Sequence, residues 1–227
     1  MREILKENAE FEKKAPYNFC DRWCERCVHE KQVRCKLYLD EFERKITCVA
    51  HGRDEDDLEI TKAVMDEQFK GLDEKLSEGI DKFGIDFDDS DIVEEGDIDF
   101  VENNSLNAAA KSYYEKAHIF LEKVFYSDNA TGSKFKYDFE TVSWYHVLLP
   151  VKLHRALCGF YEPDVEGGIS LCDAVAQFEI CKKAVKESIE ALRRVTNDFI
   201  VYRVQIVELI ALLHNIYNRV EDLLSSI

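Results

Sequence analysis

The sequence predicts an all-α protein, in which four long helices form an antiparallel bundle after an N-terminal metal-binding segment. Apolar residues recur every three to four positions over much of the chain, which is the period of an amphipathic helix. The connections between these stretches are short, and no convincing set of alternating strands is present, as is typical of helical bundles. A chain of 227 residues, 46% of them hydrophobic, can also bury a substantial core.

The order of these features divides the chain into three regions. Residues 1–50 contain a cysteine-rich metal-binding segment and a helix. Residues 51–104 contain an acidic helix and an acidic loop. Residues 105–227 contain the predicted four-helix bundle, because the longest amphipathic stretches all lie there.

The first two regions contain shorter predicted elements. A short helix over residues 1–14 ends before Pro16, which has no backbone N–H to continue it. Apolar residues at helical spacing predict further helices over residues 37–49 and 56–83. Residues 84–104 are acidic and only weakly periodic, so we expect them to form a loop outside the core.

Four longer amphipathic stretches follow, and each carries an apolar stripe along one face. They predict helices over residues 106–126, 139–161, 171–195 and 199–224. Plausible N-cap residues stand near their starts, namely Ser105, Asp138, Ser170 and Asn197. The second of these helices is apolar nearly all round near Pro150, so we expect it to be the most buried and to bend at that proline.

The net charge of −16 is concentrated in one part of the chain. Residues 54–104 hold 20 acidic and 4 basic side chains, and the remainder holds 26 of each. Binding to duplex nucleic acid normally requires a basic surface, so nucleic acid is not an expected partner. The first residues do not form a signal peptide and no apolar run approaches about 18 residues, so we expect a cytoplasmic protein without a membrane span.

The feature that most directly indicates chemistry is a cluster of four cysteines with the spacing C-x3-C-x2-C-x7-C. Two of them are three residues apart, so one tight turn can direct both sulfur atoms at a single ion, and the other two lie close by in sequence. Four thiolates at this spacing predict a tetrahedral structural zinc site, with an iron–sulfur cluster as the alternative. The predicted ligands are Cys20, Cys24, Cys27 and Cys35.

The other four cysteines lie within predicted helices and have the character of small core residues. They are Cys48, Cys158, Cys172 and Cys181. Because we expect a reducing compartment, all eight cysteines are predicted to be thiols or metal ligands and not disulfides.

The stretch Tyr17-Asn-Phe-Cys-Asp-Arg-Trp-Cys-Glu-Arg-Cys27 resembles a recurring N-terminal signature of uncharacterised bacterial proteins. The resemblance covers about 20 residues plus a generally helical remainder. It implies a four-cysteine metal site and no established activity, so it adds nothing to the functional argument beyond the metal.

We therefore expect a metal-binding helical protein that acts through contacts with a protein partner or with another copy of itself. A catalytic role is left open, although the chain lacks a Ser-His-Asp order, a phosphate-binding loop and a dinucleotide fingerprint. The alternative is an iron–sulfur redox protein, or an enzyme with a pocket in the bundle around His146. That histidine lies in an apolar stripe, where we expect either a hydrogen-bonded core residue or a site residue near Trp144, Tyr145 or Glu179.

Overall fold

The computed structural model describes residues 2–67, 69–70, 100–126, 134–161 and 169–227, and these ranges are helical with turns and contain no strand. The N-terminal helices are α1 (Arg2–Lys14), α2 (His29–Gln32) and α3 (Lys36–Ala50), with 3-10 turns at Pro16–Asn18 and Cys24–Arg26. The long helices are α4 (Ser105–Val124), α5 (Lys136–Tyr161), α6 (Ile169–Val195) and α7 (Arg203–Ser225), the last preceded by a 3-10 turn at Ile200–Tyr202.

The chain forms two compact units. The first comprises Met1–Trp23 together with Glu95–Ile227, and therefore contains α1 and the four long helices. The second comprises Cys24–Glu94 and contains α2 and α3. The start of the chain thus packs with the long helices, and the boundary between the units falls within the cysteine-rich segment.

The four long helices, α4 to α7, surround a shared apolar core and are called the helical core below. In it, α4 contacts α5 and α7, while α6 contacts α5 and α7 and also carries α1 on its outer side. Large side chains fill the interior, including Tyr113, Phe120, Phe139, Tyr145, Phe178 and Leu192. Each fully buried side chain of this size stabilises the fold by roughly 1.5–3 kcal/mol, so this unit has the apolar content to fold around its own core.

The predicted spans of the helices that the structure describes in full agree with it to within a few residues, but the caps do not all agree. The cap of α4 is Asn104, whose side-chain oxygen accepts a hydrogen bond from the backbone N–H of Leu106 at 2.9 Å. Ser105, the predicted cap, is instead the first residue of the helix. Asparagine and serine are about equally good caps, so propensity alone did not separate two neighbouring candidates.

The prediction that the second long helix is the most buried was wrong. In α5, Val147 and Val151 face solvent and are 51% and 65% exposed. Among the described helices, α6 is the most enclosed, because it packs against α1 as well as α5 and α7. The apolar residues around Pro150 therefore divide between the core and the surface, a distinction that hydrophobicity alone cannot make.

The predicted acidic loop over residues 84–104 requires a partial correction. Residues 100–102 are helical, and Val101 is buried among the core side chains, where its carbonyl accepts a hydrogen bond from Asn107 at 3.1 Å. The end of this segment therefore packs against the core, contrary to expectation. Of the predicted helix over 56–83, residues 58–67 are helical, and everything from residue 71 to residue 99 lies outside the described residues.

Within the part of the chain that the structure describes, one region, Ile200–Ser225, is long and apolar enough to cross a membrane by length and composition. We had expected no such segment, because its apolar residues are interrupted by polar ones. One face of α7 is a core stripe containing Ile206, Leu209, Leu213, Ile216, Val220 and Leu224. That stripe accounts for part of the apolar character, and the remainder comes from exposed aliphatic residues near the start of the helix.

We expect Gly159→Ala to destabilise the protein, even though alanine normally favours a helix over glycine. A methyl group on Gly159 would lie 2.6 Å from the Ser170 carbonyl oxygen and 3.3 Å from the Ala174 methyl, so α5 and α6 would have to separate. Overpacking of this kind costs about 1–3 kcal/mol. Urea unfolding of the variant measures this cost, and an unchanged or raised midpoint would show that the helices do not approach so closely.

Candidate metal centre

The first predicted ligand, Cys20, follows the 3-10 turn Pro16–Asn18 and belongs to the unit that contains the helical core. It is half-buried, and its thiol lies 3.6 Å from the Tyr17 carbonyl oxygen, in the range of a weak S–H hydrogen bond. Lys152 and Lys183 are both close enough to interact electrostatically with this thiol.

The other three predicted ligands lie in the second unit, where a single glutamine links them. The backbone N–H of Cys27 donates to the Cys24 carbonyl at 3.1 Å, which closes a tight turn. The side-chain amide of Gln32 donates to the same carbonyl at 2.9 Å, and the Gln32 carbonyl accepts from the Cys35 N–H at 3.0 Å. Gln32 therefore connects the turn that carries two cysteines to the start of α3, where Cys35 is the N-cap residue.

The donor set of the predicted site fits zinc by its chemistry. Four cysteines without a carboxylate are a common ligand set of structural zinc sites. Within the described ranges, no group of three or more histidine, cysteine, aspartate or glutamate side chains is placed to hold one ion. In small metal sites, the ligands usually become ordered together with binding of the ion.

The remaining cysteines have the structural character that we predicted for them. None of the eight cysteines, all of which are described, forms a disulfide. Cys48, Cys172 and Cys181 are buried and Cys158 is half-buried. Burial raises the pKa of the Cys181 thiol to about 12, opposed by the nearby Lys152, so this thiol stays protonated at neutral pH.

A hydrogen-bonded carboxylate attaches the residues after Cys20 to the helical core. The Asp21 side chain accepts hydrogen bonds from the Tyr145 hydroxyl and from the Lys183 ammonium, both at 2.7 Å. Its backbone carbonyl accepts from the Trp144 indole N–H at 2.9 Å. Burial tends to raise the pKa of Asp21, but the hydrogen bonds from Lys183 and Tyr145 outweigh it, so the pKa is lowered and the carboxylate stays ionised.

The phenol of Tyr145 lies between two carboxylates, Asp21 at 2.7 Å and Glu187 at 2.8 Å. Burial is the first cause that raises the pKa of this phenol, and the two acidic neighbours raise it further. Tyr145 therefore keeps its proton. Since a neutral phenol has a single hydrogen, the two carboxylates share one donor here.

Trp23 provides the apolar part of the same attachment. Its ring stacks on Trp144 with centroids 5.3 Å apart and meets the edge of Tyr145 at 5.8 Å. Arg22, between Asp21 and Trp23, has a φ of 55°, in the left-handed region that residues with a Cβ rarely adopt. The backbone changes direction at Arg22, and the side chains on either side of it, Asp21 and Trp23, both contact α5.

Further polar contacts hold the preceding residues. Gln177 on α6 donates to the Asn18 carbonyl at 3.0 Å, and its side-chain oxygen accepts from the buried Lys152 ammonium at 2.8 Å. Burial, followed by the nearby Arg22, lowers the pKa of Lys152. Near the start of the chain, Asn8 donates to the Cys172 carbonyl at 2.9 Å. Cys20 is thus the part of the predicted ligand set that is held on a rigid support.

His146, the other predicted site residue, lies in an aromatic stack with two residues of α4. Only 2% of it is exposed, and its ring stacks on Tyr114 at 5.4 Å and on His118 at 5.7 Å. Its Nδ1 donates to the Ser143 carbonyl at 2.6 Å, and no hydrogen-bond partner is present for the buried Nε2. The imidazole is therefore a hydrogen-bonded core group, and solvent does not reach it directly.

We expect acidification to destabilise the protein through His146. Burial, opposed by the Ser143 hydrogen bond and reinforced by His118, lowers the pKa of His146 in the folded state. An unfolded histidine has a pKa of about 6.5, so the unfolded chain binds more protons than the folded one below that value. Stability should therefore be complete above about pH 6.5 and fall as the pH decreases.

Urea unfolding at a series of pH values measures this effect. His146→Phe keeps a ring in the stack and removes the titration, so it should flatten the decline below about pH 6.5. His51→Phe, at an exposed position in the second unit, should leave the decline unchanged. A decline of the same steepness in His146→Phe would assign it to other groups.

Several residues that shape the site were not identified from the sequence. Gln32, Asp21 and Gln177 act through hydrogen bonds to backbone or to distant side chains, and such contacts leave no local pattern. Comparisons with known protein families, curated proteins and solved structures found no match.

Proposed function

We propose that this protein is a non-enzymatic helical scaffold that holds a structural zinc ion on four cysteines and acts through contacts with other proteins. The ligands are Cys20, Cys24, Cys27 and Cys35. The observation that carries the proposal is the Gln32 linkage, because it connects the Cys24–Cys27 turn to the residue that begins α3. Cys20, three residues before Trp23, is supported by the attachment of its own segment to the helical core.

A structural role is supported by the position of the ligands in and between very short helical elements. Cys24 begins a 3-10 turn and Cys27 directly follows it, and the four-residue helix α2 separates that turn from α3. Helices this short are marginal on their own, since nucleating a helix costs more than one turn of hydrogen bonds returns. A bound ion would supply the missing stabilisation, and nothing in this role requires an open coordination position.

We further infer that α4 to α7 form an antiparallel four-helix bundle. Ser105 at the start of α4 accepts from Arg219 near the end of α7, and Lys116 pairs with Glu208, so these helices run in opposite directions. Asp138 near the start of α5 pairs with Arg194 near the end of α6. Arg155 near the end of α5 pairs with Asp173 near the start of α6, which indicates that these two helices are also antiparallel.

The other two adjacent pairs support the same arrangement. Tyr126, just after the end of α4, hydrogen-bonds to Ser143 in the first part of α5, whereas Tyr114, in the middle of α4, stacks on His146, which comes later in α5. Lys182 on α6 pairs with Glu221 near the end of α7, and Arg193 contacts His214. Short connections between antiparallel neighbours fit the up-and-down topology of such bundles.

The cellular setting belongs to the same proposal. Eight thiols without a disulfide fit a reducing compartment, so we place the protein in the cytoplasm. Outside residues 54–104 the charges balance, which favours a protein partner or a second copy over nucleic acid.

Metal analysis of the purified protein tests the proposal. We expect a colourless protein with close to one zinc ion per chain, and a marked loss of zinc when any of the four cysteines is replaced by serine. Cys158→Ser is the matched control, because this half-buried cysteine of α5 lies outside the ligand set. Full zinc retention in all four single variants would refute the site.

The same preparation distinguishes zinc from the iron–sulfur alternative. A brown protein with absorbance near about 400 nm and bound iron would assign a cluster to the same cysteines. The four serine variants would then lose colour in place of zinc, and the proposed function would change to a redox role.

A further inference from the structure

A buried lysine on α5, Lys152, lies beside the first predicted ligand without a carboxylate partner. Only 5% of this residue is exposed. Its ammonium donates to the side-chain oxygen of Gln177 at 2.8 Å, and none of the carboxylates that the structure describes pairs with it. A buried charge destabilises the folded protein unless a nearby opposite charge balances it, and lysine is almost never buried without such a partner.

The acidic groups that interact electrostatically with this ammonium are two thiols, those of Cys20 and Cys181. Two cations, Arg22 and Arg155, are also close enough to oppose its charge. The Cys181 thiol is fully buried and stays protonated at neutral pH, because burial raises its pKa to about 12. Cys20 is therefore the neighbour that can supply Lys152 with a negative charge.

Hydrogen bonds place the segment of Cys20 over Lys152 independently of these charges. The side-chain amide of Gln177 accepts from Lys152 through its oxygen and donates to the Asn18 carbonyl at 3.0 Å through its nitrogen. One amide group thus joins the buried ammonium to the residue that lies two positions before Cys20. The same nitrogen donates to Asp173 at 3.0 Å, so the orientation of this amide is fixed on α6.

The other lysine near Cys20, Lys183, is less suited to balance a charge on its sulfur. Its ammonium donates to the Asp21 carboxylate at 2.7 Å and lies 3.8 Å from Glu187. Its side chain is also 54% exposed, so solvent stabilises the charge. Carboxylates and water thus already balance Lys183, whereas the charge of the buried Lys152 is not balanced.

We propose that Lys152 is the counter-ion of the Cys20 thiolate in the metal-bound protein and positions that thiolate as a ligand. A cysteine that binds zinc has lost its proton, and four thiolates carry more negative charge than one zinc ion neutralises. A buried ammonium beside one ligand offsets part of this excess and has further N–H groups to donate to the sulfur. The inference rests on the proposed zinc site and adds to it a residue outside the four ligands.

Zinc affinity, measured by competition with a chromophoric chelator, tests the inference. Lys152→Gln removes the charge but keeps a group that can donate to Gln177, so we expect it to weaken zinc binding at least about tenfold. Lys152→Arg keeps the charge, and its affinity should be closer to that of the wild type than to that of Lys152→Gln.

Urea unfolding of the same proteins without zinc separates this role from a purely structural one. Zinc-free Lys152→Gln should be at least as stable as the zinc-free wild type, because it removes a buried charge that has no counter-charge. An equal loss of stability with and without zinc would assign Lys152 to the fold alone and overturn the inference.

Lys182→Gln is the matched control. The side chain of Lys182 is only 16% exposed, but it pairs with Glu179 and Glu221, so the zinc affinity should not change. Unchanged affinity in Lys152→Gln, or equal losses in Lys152→Gln and Lys152→Arg, would overturn the inference and leave the zinc site in place.

The metal content of the wild-type protein distinguishes this failure from that of the proposed function. A wild-type protein that holds neither zinc nor an iron–sulfur cluster refutes the proposed function and the inference with it. Loss of a cluster from Lys152→Gln but not from Lys152→Arg would support the counter-ion and refute only the zinc.

Discussion

Replacing Asp21 with alanine is expected to lower the free energy of unfolding by about 2 kcal/mol, because hydrogen bonds to charged groups contribute about 1.5–3 kcal/mol each. The variant loses the contacts of the carboxylate with Tyr145 and Lys183, both at 2.7 Å. Both partners retain Glu187 as a neighbour, which limits the loss. Urea unfolding followed by circular dichroism measures the change.

Asp198→Ala is the matched control for this experiment. Asp198 pairs with Lys134 at 3.1 Å, but both side chains are largely exposed, at 46% and 71%. Exposed ion pairs contribute about 0–1 kcal/mol, so the control should change little. A double-mutant cycle between Asp21 and Lys183 then isolates their coupling. Equal effects of the two alanine substitutions would show that Asp21 does not attach the N-terminal residues to the helical core.

Strong chelation is expected to raise the rate at which trypsin cleaves the segment after Trp23 by at least about tenfold, because the segment loses local order. Most of the helical circular dichroism should persist. The segment between Cys24 and α3 contains few large apolar residues, so its order should depend on the ion. Trypsin sites are available there at Arg26, Lys31 and Arg34. The helical core keeps its signal because its buried stripes do not involve the metal.

The position of the first cuts separates the two parts of the N-terminal region. Residues before Trp23 contact α5 and α6 through Asn8, Asn18 and Asp21, so Lys13 and Lys14 should remain protected relative to Arg26. A cysteine-to-serine variant such as Cys27→Ser should be cleaved without chelator, and Cys158→Ser should behave as wild type. Cooperative loss of all helical signal on chelation would contradict the prediction and would mean that the metal stabilises the entire fold.

The sequence by itself determined the all-helical class and the approximate span of each described long helix. Apolar residues at a 3.6-residue period identify a helix without knowledge of its neighbours, as in α6, where both predicted limits lie within two residues of the observed ones. Pro16 ended α1 as predicted, because a missing N–H is a local property. The burial of Cys48, Cys172 and Cys181 could likewise be predicted from their positions within amphipathic helices.

Only the tertiary structure decided which apolar faces are covered and which residues attach the stretch from Asn18 to Trp23 to the long helices. Val151 and Val204 resemble core residues in the sequence, yet they are 65% and 82% exposed. Asp21 lies next to a predicted metal ligand, but its partners are more than 120 residues away in the chain. The periodicity of apolar residues predicts where one helix begins and ends. Burial and long-range hydrogen bonds depend instead on which helices become neighbours, and the packing of the whole unit decides this.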